Sequence, residues 1–272
     1  MCGRYILKSD IEVIEKRFNV TAVQQRPFKQ NFNIAPGDRA PVITSEEPGK
    51  LQYFRFGLCP SWAKKSMCFF NARAEGDKNK ENDPNYKGAK EIGRKASFRK
   101  PMRSQRCLVI ADAFIEGTTK EKLNKPFVVY LRNKEDAPFS FAGIWDRWVN
   151  RETGEILNSF AIITTTANKP LQRLPHHRSP VILRNEEEEQ MWLNTNAPMA
   201  ESTALLRPYL DERMNAYPIS NAIKNPKNKG MELLRPKGQR IAKEYDYEFE
   251  KYLELHGMGM SSARRRRIEG GQ

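Results

Sequence analysis

Residues 107–117 read Cys-Leu-Val-Ile-Ala-Asp-Ala-Phe-Ile-Glu-Gly, an apolar run followed by two carboxylates. The first five residues predict a buried β-strand, because short runs rich in Val and Ile fit the interior of a sheet. Four other segments share this composition. The predicted strands are therefore 51–58, 107–111, 127–131, 139–144 and 159–165.

The segments around these strands predict helices and loops. Ser9 and Glu12 have the spacing of a capping box, which predicts a helix over 9–18. Asn185 suits the N-cap of a helix over 185–193, and 199–210 suggests another. Residues 27–41 are expected to form an ordered loop and 75–104 a surface excursion with helical pieces. Without a regular βαβ alternation, we expect an α+β fold: one mixed domain, residues 1–235, around a curved sheet or open β-barrel with flanking helices.

The C-terminal part is expected to be an appendage. Ile241, Tyr245, Phe249 and Leu253 recur every four residues, which predicts an appended helix over 236–258. Residues 259–272 contain four consecutive arginines and are expected to be a disordered basic tail.

The charge favours an anionic partner. The 272 residues carry a formal net charge of +14, for which nucleic acid is the default interpretation. No apolar run is long enough for a membrane span and no secretion signal is present, so we expect a cytoplasmic protein, associated with the nucleoid if it is bacterial. The four cysteines and three histidines are scattered, and nucleotide-binding motifs are missing, so we expect no metal and no cofactor.

The chain starts with Met1-Cys2-Gly3-Arg4. Removal of Met1 by an aminopeptidase would give Cys2 a free amine beside its thiol. Such a 1,2-aminothiol condenses with an aldehyde to an imine, which the thiol closes into a thiazolidine. On position alone, an incidental cysteine beside the initiator is the simpler interpretation.

Three later motifs carry polar side chains suited to chemistry. Asn71 can both donate and accept hydrogen bonds, and Arg73 suits a phosphate, although a turn with a surface arginine is the simpler alternative. Glu116 follows an apolar strand, where burial can raise its pKa as a general acid or base requires, although a solvated glutamate in a loop explains it equally. His176 and His177 are adjacent, so at most one is expected to face a given site.

These motifs, taken in order, resemble the SRAP family of abasic-site processing proteins. The resemblance covers roughly residues 2–235. Its seven motifs are Met1 to Arg4, Asn33 to Gly37, Gly57 to Trp62, Asn71 to Glu75, Ala111 to Gly117, His176 to Leu183 and Asn225 to Gly230.

The resemblance implies a protein that recognises abasic sites in single-stranded DNA, including sites at junctions between single-stranded and double-stranded DNA. It would act as a monomer in the repair of DNA damage and in the SOS response. Cys2 would form a thiazolidine crosslink with the lesion aldehyde and shield it. The resemblance also implies weak lyase activity. It further implies that the protein removes its own Met1, which is the hydrolase activity of a protease. The catalytic set would be Cys2, Asn71, Glu116 and His176, and the DNA-binding set Arg4, Pro36, Trp62, Arg73 and Arg178.

Two departures from the family pattern lie beside Glu116: Ala113 replaces the usual Gly and Gly117 the usual Trp. Two other functions also remain open. Glutamine amidotransferases with an N-terminal nucleophile likewise begin with Met-Cys-Gly, although that class predicts none of the later motifs. A non-covalent basic DNA-binding module would bind without lesion preference and without an adduct.

Overall fold

The computed structural model describes residues 2–23 and 29–244 of the chain, and within them it confirms the predicted α+β class. The α-helices are α1 (Ile11–Phe18), α2 (Ala96–Ser104), α3 (Lys169–Arg173), α4 (Glu186–Leu193) and α5 (Met199–Ala204). The strands are β1 (Arg4–Leu7), β2 (Thr21–Ala22), β3 (Asn31–Ile34), β4 (Arg39–Thr44), β5 (Lys50–Phe56), β6 (Asn71–Arg73), β7 (Arg106–Ala111), β8 (Ala113–Thr118), β9 (Lys122–Leu131), β10 (Phe139–Val149), β11 (Ile156–Thr166), β12 (Arg178–Pro180) and β13 (Met214–Pro218).

Five strands form a closed ring in the order β11, β10, β7, β4 and β5. The ring closes because β5 pairs in parallel with β11, with Phe56 opposite Phe160. Strand β6 also pairs in parallel with β11, so that Asn71 lies opposite Ile162. The short strands β2 and β12 extend the sheet beyond the ring.

A second sheet has the order β13, β9, β8, β1 and β3. The chain passes into it from the ring at Asp112, the one residue between β7 and β8. The Asp112 carboxylate accepts hydrogen bonds from the Lys8 and Ser9 amides at 2.6 and 2.8 Å and from the Ser9 hydroxyl at 2.6 Å. Asp112 therefore fixes the end of β1 against the start of β8.

Buried aromatic rings join the two sheets. The Tyr5 ring of β1 lies 5.5 Å from Phe56 of β5 and 6.0 Å from Phe141 of β10, both edge to face. Phe56 in turn stacks on Phe160 at 5.2 Å. Each buried side chain of this size contributes about 1.5–3 kcal/mol, and each aromatic pair about 0.5–1.5 kcal/mol more.

The guanidinium of Arg106 connects two helices to the ring. It is 1% exposed and donates to three main-chain carbonyls: Met102 in the last turn of α2 at 3.1 Å, and Trp192 and Asn194 at the end of α4, both at 2.5 Å. The carbonyl ends of helices carry partial negative charge, so they compensate the buried cation.

All five predicted strands are present, but the sequence missed others. The predicted loop over 27–41 instead contains β3 and the start of β4, joined by a turn in which Gly37 has a φ of +102°. The sequence also missed β8, which begins at Ala113 after the single residue Asp112. Asn and Pro concealed β3 and β4, because both residues are depleted in strands.

Helix starts and ends differ from the predictions in two places. The capping box of α1 is absent: Asp10 occupies the N-cap and Ser9 binds Asp112. The prediction for α4 is confirmed, since the Asn185 side chain accepts from the Glu188 amide at 3.0 Å. Helix α5 ends at Ala204 rather than at 210, in keeping with Pro208, which disfavours helical geometry in the residue before it.

The chain divides into two units, residues 1–239 and 240–272. Residues 236–244 form no helix. The rest of the predicted appended helix, 245–258, and the predicted tail, 259–272, lie outside the described residues. No helix in the described part of the chain is both long and apolar enough to cross a membrane.

Candidate active site

Asn71 holds the N-terminal segment against the ring. Its side-chain amide donates to the Cys2 carbonyl at 3.0 Å and lies 3.4 Å from the Ile162 carbonyl. Cys2 is fully buried, and its thiol lies 3.8 Å from the Arg4 carbonyl. The structure thus brings together two predicted catalytic residues that are far apart in sequence.

The Cys2 thiol is held in its protonated form. Burial, and after it the nearby charge of Glu116, raises the pKa of the thiol well above its ordinary value. Thiolates rather than thiols are nucleophilic, so Cys2 in this environment needs a proton acceptor before it can attack.

Glu116 and His176 form a buried pair beside Cys2. Glu116 lies on β8, whose partner β1 brings Arg4 opposite Ile115. The Glu116 carboxylate lies 3.4 Å from Nε2 of His176, and the two side chains are 4% and 5% exposed. Burial raises the pKa of Glu116, as the sequence predicted for a carboxylate in this position.

Burial lowers the pKa of His176 to about 3. The imidazole is therefore neutral near pH 7, and it can exchange hydrogen bonds with a substrate without carrying charge. The His176 amide donates to the Leu171 carbonyl at 3.0 Å, which anchors the loop that carries the ring to α3.

Both adjacent histidines line the site, so the prediction that at most one faces it is wrong. The rings of His176 and His177 stack with centroids 5.3 Å apart and planes 16° apart. Adjacent side chains diverge in a regular strand, but these two residues lie in the irregular segment before β12, where that rule does not hold.

A groove of about 700 Å³ opens over this pair. Four predicted residues line it: Arg4, Pro36, Glu116 and His176. Arg4 is fixed by a bond from its guanidinium to the Lys224 carbonyl at 3.1 Å. The lining residues that the sequence analysis did not assign are Gly3, Phe70, Ile115, Gly117, Thr118, Thr119, Glu121, Lys122, Leu123, Asn124, His177 and Lys224.

Gly117 shapes one wall of the groove. It lies at a bulge where the register between β8 and β9 shifts. A Cβ atom here would lie 1.8 Å from the Lys122 carbonyl oxygen, so the hairpin as folded accepts only glycine. The departure from the family pattern thus has a local structural cause.

Trp62 is 52% exposed, so it is not part of the core. The core position beneath its loop is filled by Trp148, whose indole donates to the Ala63 carbonyl at 2.7 Å. Arg73 is half-buried at the end of β6 and donates to the Asn79 carbonyl at 3.0 Å. Neither residue lines the groove over Glu116.

Arg178 occupies an interior position that the sequence did not predict. It is 1% exposed, and its guanidinium donates to Glu75 at 2.8 Å and to the Thr164 carbonyl at 2.7 Å. Its Nε and Nη1 atoms have no hydrogen-bond partner among the described residues. Contact with a phosphate would therefore require the side chain to become exposed.

Asn33 is a positioning residue that sequence reasoning missed. Its buried amide lies 2.9–3.1 Å from the carbonyls of Ile223, Asn225 and Asn228. It thereby fixes the segment whose Lys224 carbonyl binds Arg4. Asn225 and Asn228 were the only local sign of an ordered segment here. Their partner, Asn33, lies almost two hundred residues earlier in the sequence.

Comparisons with known proteins agree with this architecture. The model of the family "SOS response associated peptidase (SRAP)" matches residues 1–226. The abasic site processing protein YoqW of Bacillus subtilis is 33% identical over 240 residues, which cover 86% of this chain and 99% of that protein. The abasic site processing protein HMCES of Gallus gallus is 26% identical over 248 residues, which cover 80% of this chain and 69% of that protein. A crystal structure of a Bacteroides thetaiotaomicron protein superposes with a TM-score of 0.72 and 29% identity, over 87% of this chain and all of that one.

Proposed function

Because the chain belongs to the SOS response associated peptidase (SRAP) family, we propose that it processes abasic sites in single-stranded DNA and crosslinks to them through Cys2. The names of its relatives support abasic-site processing. The observation that carries the crosslink is the placement of Cys2 by Asn71 beside the pair of Glu116 and His176.

The chemistry starts after Met1 leaves and Cys2 has a free α-amine. The amine attacks C1′ of the ring-opened sugar, and loss of water gives an imine. The thiol sulfur then bonds to C1′, and its proton ends on the nitrogen, which gives a thiazolidine. No oxidant or metal is required by this sequence of bonds.

Glu116 supplies the proton transfers. With its raised pKa it can protonate the sugar ring oxygen during opening and the hydroxyl that leaves as water. His176, neutral and 3.4 Å away, orients this carboxyl group and hydrogen-bonds the sugar. Asn71 keeps the Cys2 carbonyl fixed, so the amine and thiol are presented together.

The DNA strand is held by the predicted binding residues around the groove. Arg4 contacts a phosphate beside the lesion, and Pro36 and the exposed Trp62 separate or stack bases. Arg73 contacts a further phosphate. Arg178 contacts a phosphate only when its buried side chain becomes exposed. Stacking on an aromatic side chain contributes about 1–3 kcal/mol per base and favours single strands.

The decisive experiment mixes the protein with a single-stranded oligonucleotide containing one abasic site and separates the products on a denaturing gel. The wild type should give a heat-stable shifted band and Cys2→Ala none. Cys68→Ala is the matched control, since Cys68 is an exposed thiol and should be dispensable. An undiminished adduct with Cys2→Ala would refute the mechanism.

Two further variants test the assigned roles. Glu116→Gln should slow adduct formation and remove its decline at high pH, because the wild-type acid loses its proton as the pH rises through its raised pKa. Arg73→Ala should weaken binding to all sequences and reduce the salt slope by about 0.7 for a single strand. An unchanged slope would place Arg73 away from the DNA.

We also propose two minor activities. Base-promoted elimination from the imine would cleave the strand, as in a weak lyase, and cleaved product should disappear together with the adduct in Cys2→Ala. Removal of Met1 by the protein itself is tested by N-terminal mass analysis after production without an aminopeptidase. Intact Met1 in that material would assign the removal to the host enzyme.

The amidotransferase alternative is tested with glutamine. Release of ammonia without an adduct on abasic DNA would favour it. Salt-sensitive DNA binding with neither activity would favour the non-covalent module.

A further inference from the structure

His177 is a groove residue without an assigned role. It lies between His176 and Arg178, is half-buried, and lines the groove over Glu116. Its ring stacks on His176 and its Nδ1 atom lies 2.8 Å from the Thr119 hydroxyl. The ring is thus oriented by two contacts, one on its face and one at its edge.

The hydrogen bonds of Thr119 determine which ring nitrogen carries the proton. The Thr119 hydroxyl has a single proton, and it donates that proton to the Pro175 carbonyl at 2.8 Å, which can only accept. The contact with His177 therefore requires Nδ1 to carry the hydrogen and to donate it. In the neutral ring Nε2 is then an acceptor only, and it becomes a donor when the ring takes up a proton.

The surroundings of His177 keep the unliganded ring neutral. Burial lowers its pKa, and the positive charges of Arg178 and Arg73 lower it further. Across the groove lie both signs of charge. These side chains are Arg4, Glu116, Glu121, Lys122 and Lys224.

We propose that His177 binds a phosphate of the DNA strand: the ring takes one proton from solvent as DNA binds and donates Nε2–H to a phosphate oxygen. This role of His177 rests on one part of the proposed function, namely that DNA occupies the groove. A phosphate anion is acceptor-only and opposite in charge to a protonated ring, which matches an Nε2–H donor on a ring whose Nδ1–H is already committed to Thr119.

Proton uptake on binding makes DNA affinity depend on pH. The bound phosphate favours the charged ring, so the pKa of His177 is higher in the complex than in the free protein. Between these two pKa values the association constant falls by up to tenfold for each unit of pH increase. Below both values and above both values, this contribution to the slope vanishes.

Fluorescence anisotropy with a single strand that contains a tetrahydrofuran abasic analogue measures this slope. The analogue has no aldehyde, so the readout is independent of Cys2 chemistry. From about pH 5.5 to about pH 8, wild-type affinity should fall with rising pH. His177→Asn keeps a donor for Thr119 but cannot titrate, so its curve should be flatter by up to one proton. Glu116→Gln shows how much of the slope comes from the neighbouring carboxyl group, and the remaining slope should still depend on His177.

Equal slopes for wild type and His177→Asn would overturn the proposal. If His177→Asn fails to fold, Thr119→Val tests the same idea, because it removes the group that orients Nδ1. We expect that variant to lose affinity severalfold near pH 6 and to match the wild type near pH 8, and a uniform loss at both would also overturn the proposal. Absence of DNA binding by the wild type at every pH would instead contradict the proposed function.

Discussion

Replacement of Glu75 by Gln should destabilise the protein by breaking a buried ion pair. Glu75 lies two residues after the end of β6, and its carboxylate accepts from Arg178 at 2.8 Å, from the Thr165 hydroxyl at 3.1 Å and from Lys90 at 3.3 Å. The Glu75 and Arg178 side chains are 0% and 1% exposed. Lys90 is 20% exposed and can turn toward water, whereas the Arg178 side chain is enclosed by protein.

The magnitude follows from the charge left behind. Glu75→Gln is nearly isosteric and keeps a partner for Thr165, so the main cost is an uncompensated guanidinium. Breaking one side of a buried pair costs about 3–5 kcal/mol of unfolding free energy. The double replacement Glu75→Leu with Arg178→Met removes both charges, so it should recover most of that loss.

The effect should also depend on pH. Burial by itself raises the pKa of Glu75, but Arg178 and Lys90 outweigh it, and the pKa is lowered overall. A carboxylate with a lowered folded-state pKa contributes stability above its unfolded-state pKa, and that contribution is lost as the pH falls through the folded-state value. The difference between wild type and Glu75→Gln should therefore be largest near neutrality and shrink in acid.

Urea unfolding followed by circular dichroism at several pH values measures these differences. Glu47→Gln is a suitable control, because the Glu47 pair with Lys50 is exposed at the surface and such pairs contribute about 0–1 kcal/mol. A loss below about 1 kcal/mol in Glu75→Gln, or a double variant less stable than the single one, would refute the reasoning.

Three further substitutions have expected outcomes of other kinds. Gly117→Ala places a Cβ 1.8 Å from the Lys122 carbonyl oxygen, so urea unfolding should show a loss of about 1–3 kcal/mol or more; unchanged stability would mean that the hairpin can shift freely. Asn33→Ala removes the amide whose two N–H groups lie within 3.1 Å of three carbonyls, so limited proteolysis within 221–230 should accelerate and stability should fall by about 1–3 kcal/mol, whereas an unchanged cleavage rate would contradict its positioning role. Trp62→Ala should leave the melting temperature unchanged, since the side chain is 52% exposed, yet weaken single-strand binding by about 1–3 kcal/mol, and unaltered binding would remove it from the DNA interface.

Composition and periodicity predicted the interior of the fold but not its connections. The strands around Val109, Phe141 and Ile162 were found because their side chains are apolar and their runs are short. The predicted capping box of α1 is absent because the Ser9 hydroxyl donates to the carboxylate of Asp112, about a hundred residues later in the sequence. A local pattern cannot report such a partner.

The candidate site shows the same division between local and distant information. Glu116 was predicted from its place after an apolar strand, and burial does raise the pKa of its carboxyl group. Arg178 was assigned to DNA because arginine suits phosphate, whereas the fold pairs it with Glu75 in the interior. His177 was given no role because adjacent side chains were expected to diverge and the family motif matches His176, and only the folded chain shows its stack on His176 and its bond to Thr119.

The three carbonyl bonds of Arg106 have a consequence for local opening. Because one guanidinium binds the last turns of α2 and α4, neither helix can fray from its C-terminal end without leaving donors of a buried cation unsatisfied. The two helices should therefore open as one cooperative unit. Hydrogen–deuterium exchange of their most protected amides should therefore report one common free energy of opening, although more than eighty residues separate the helices along the chain.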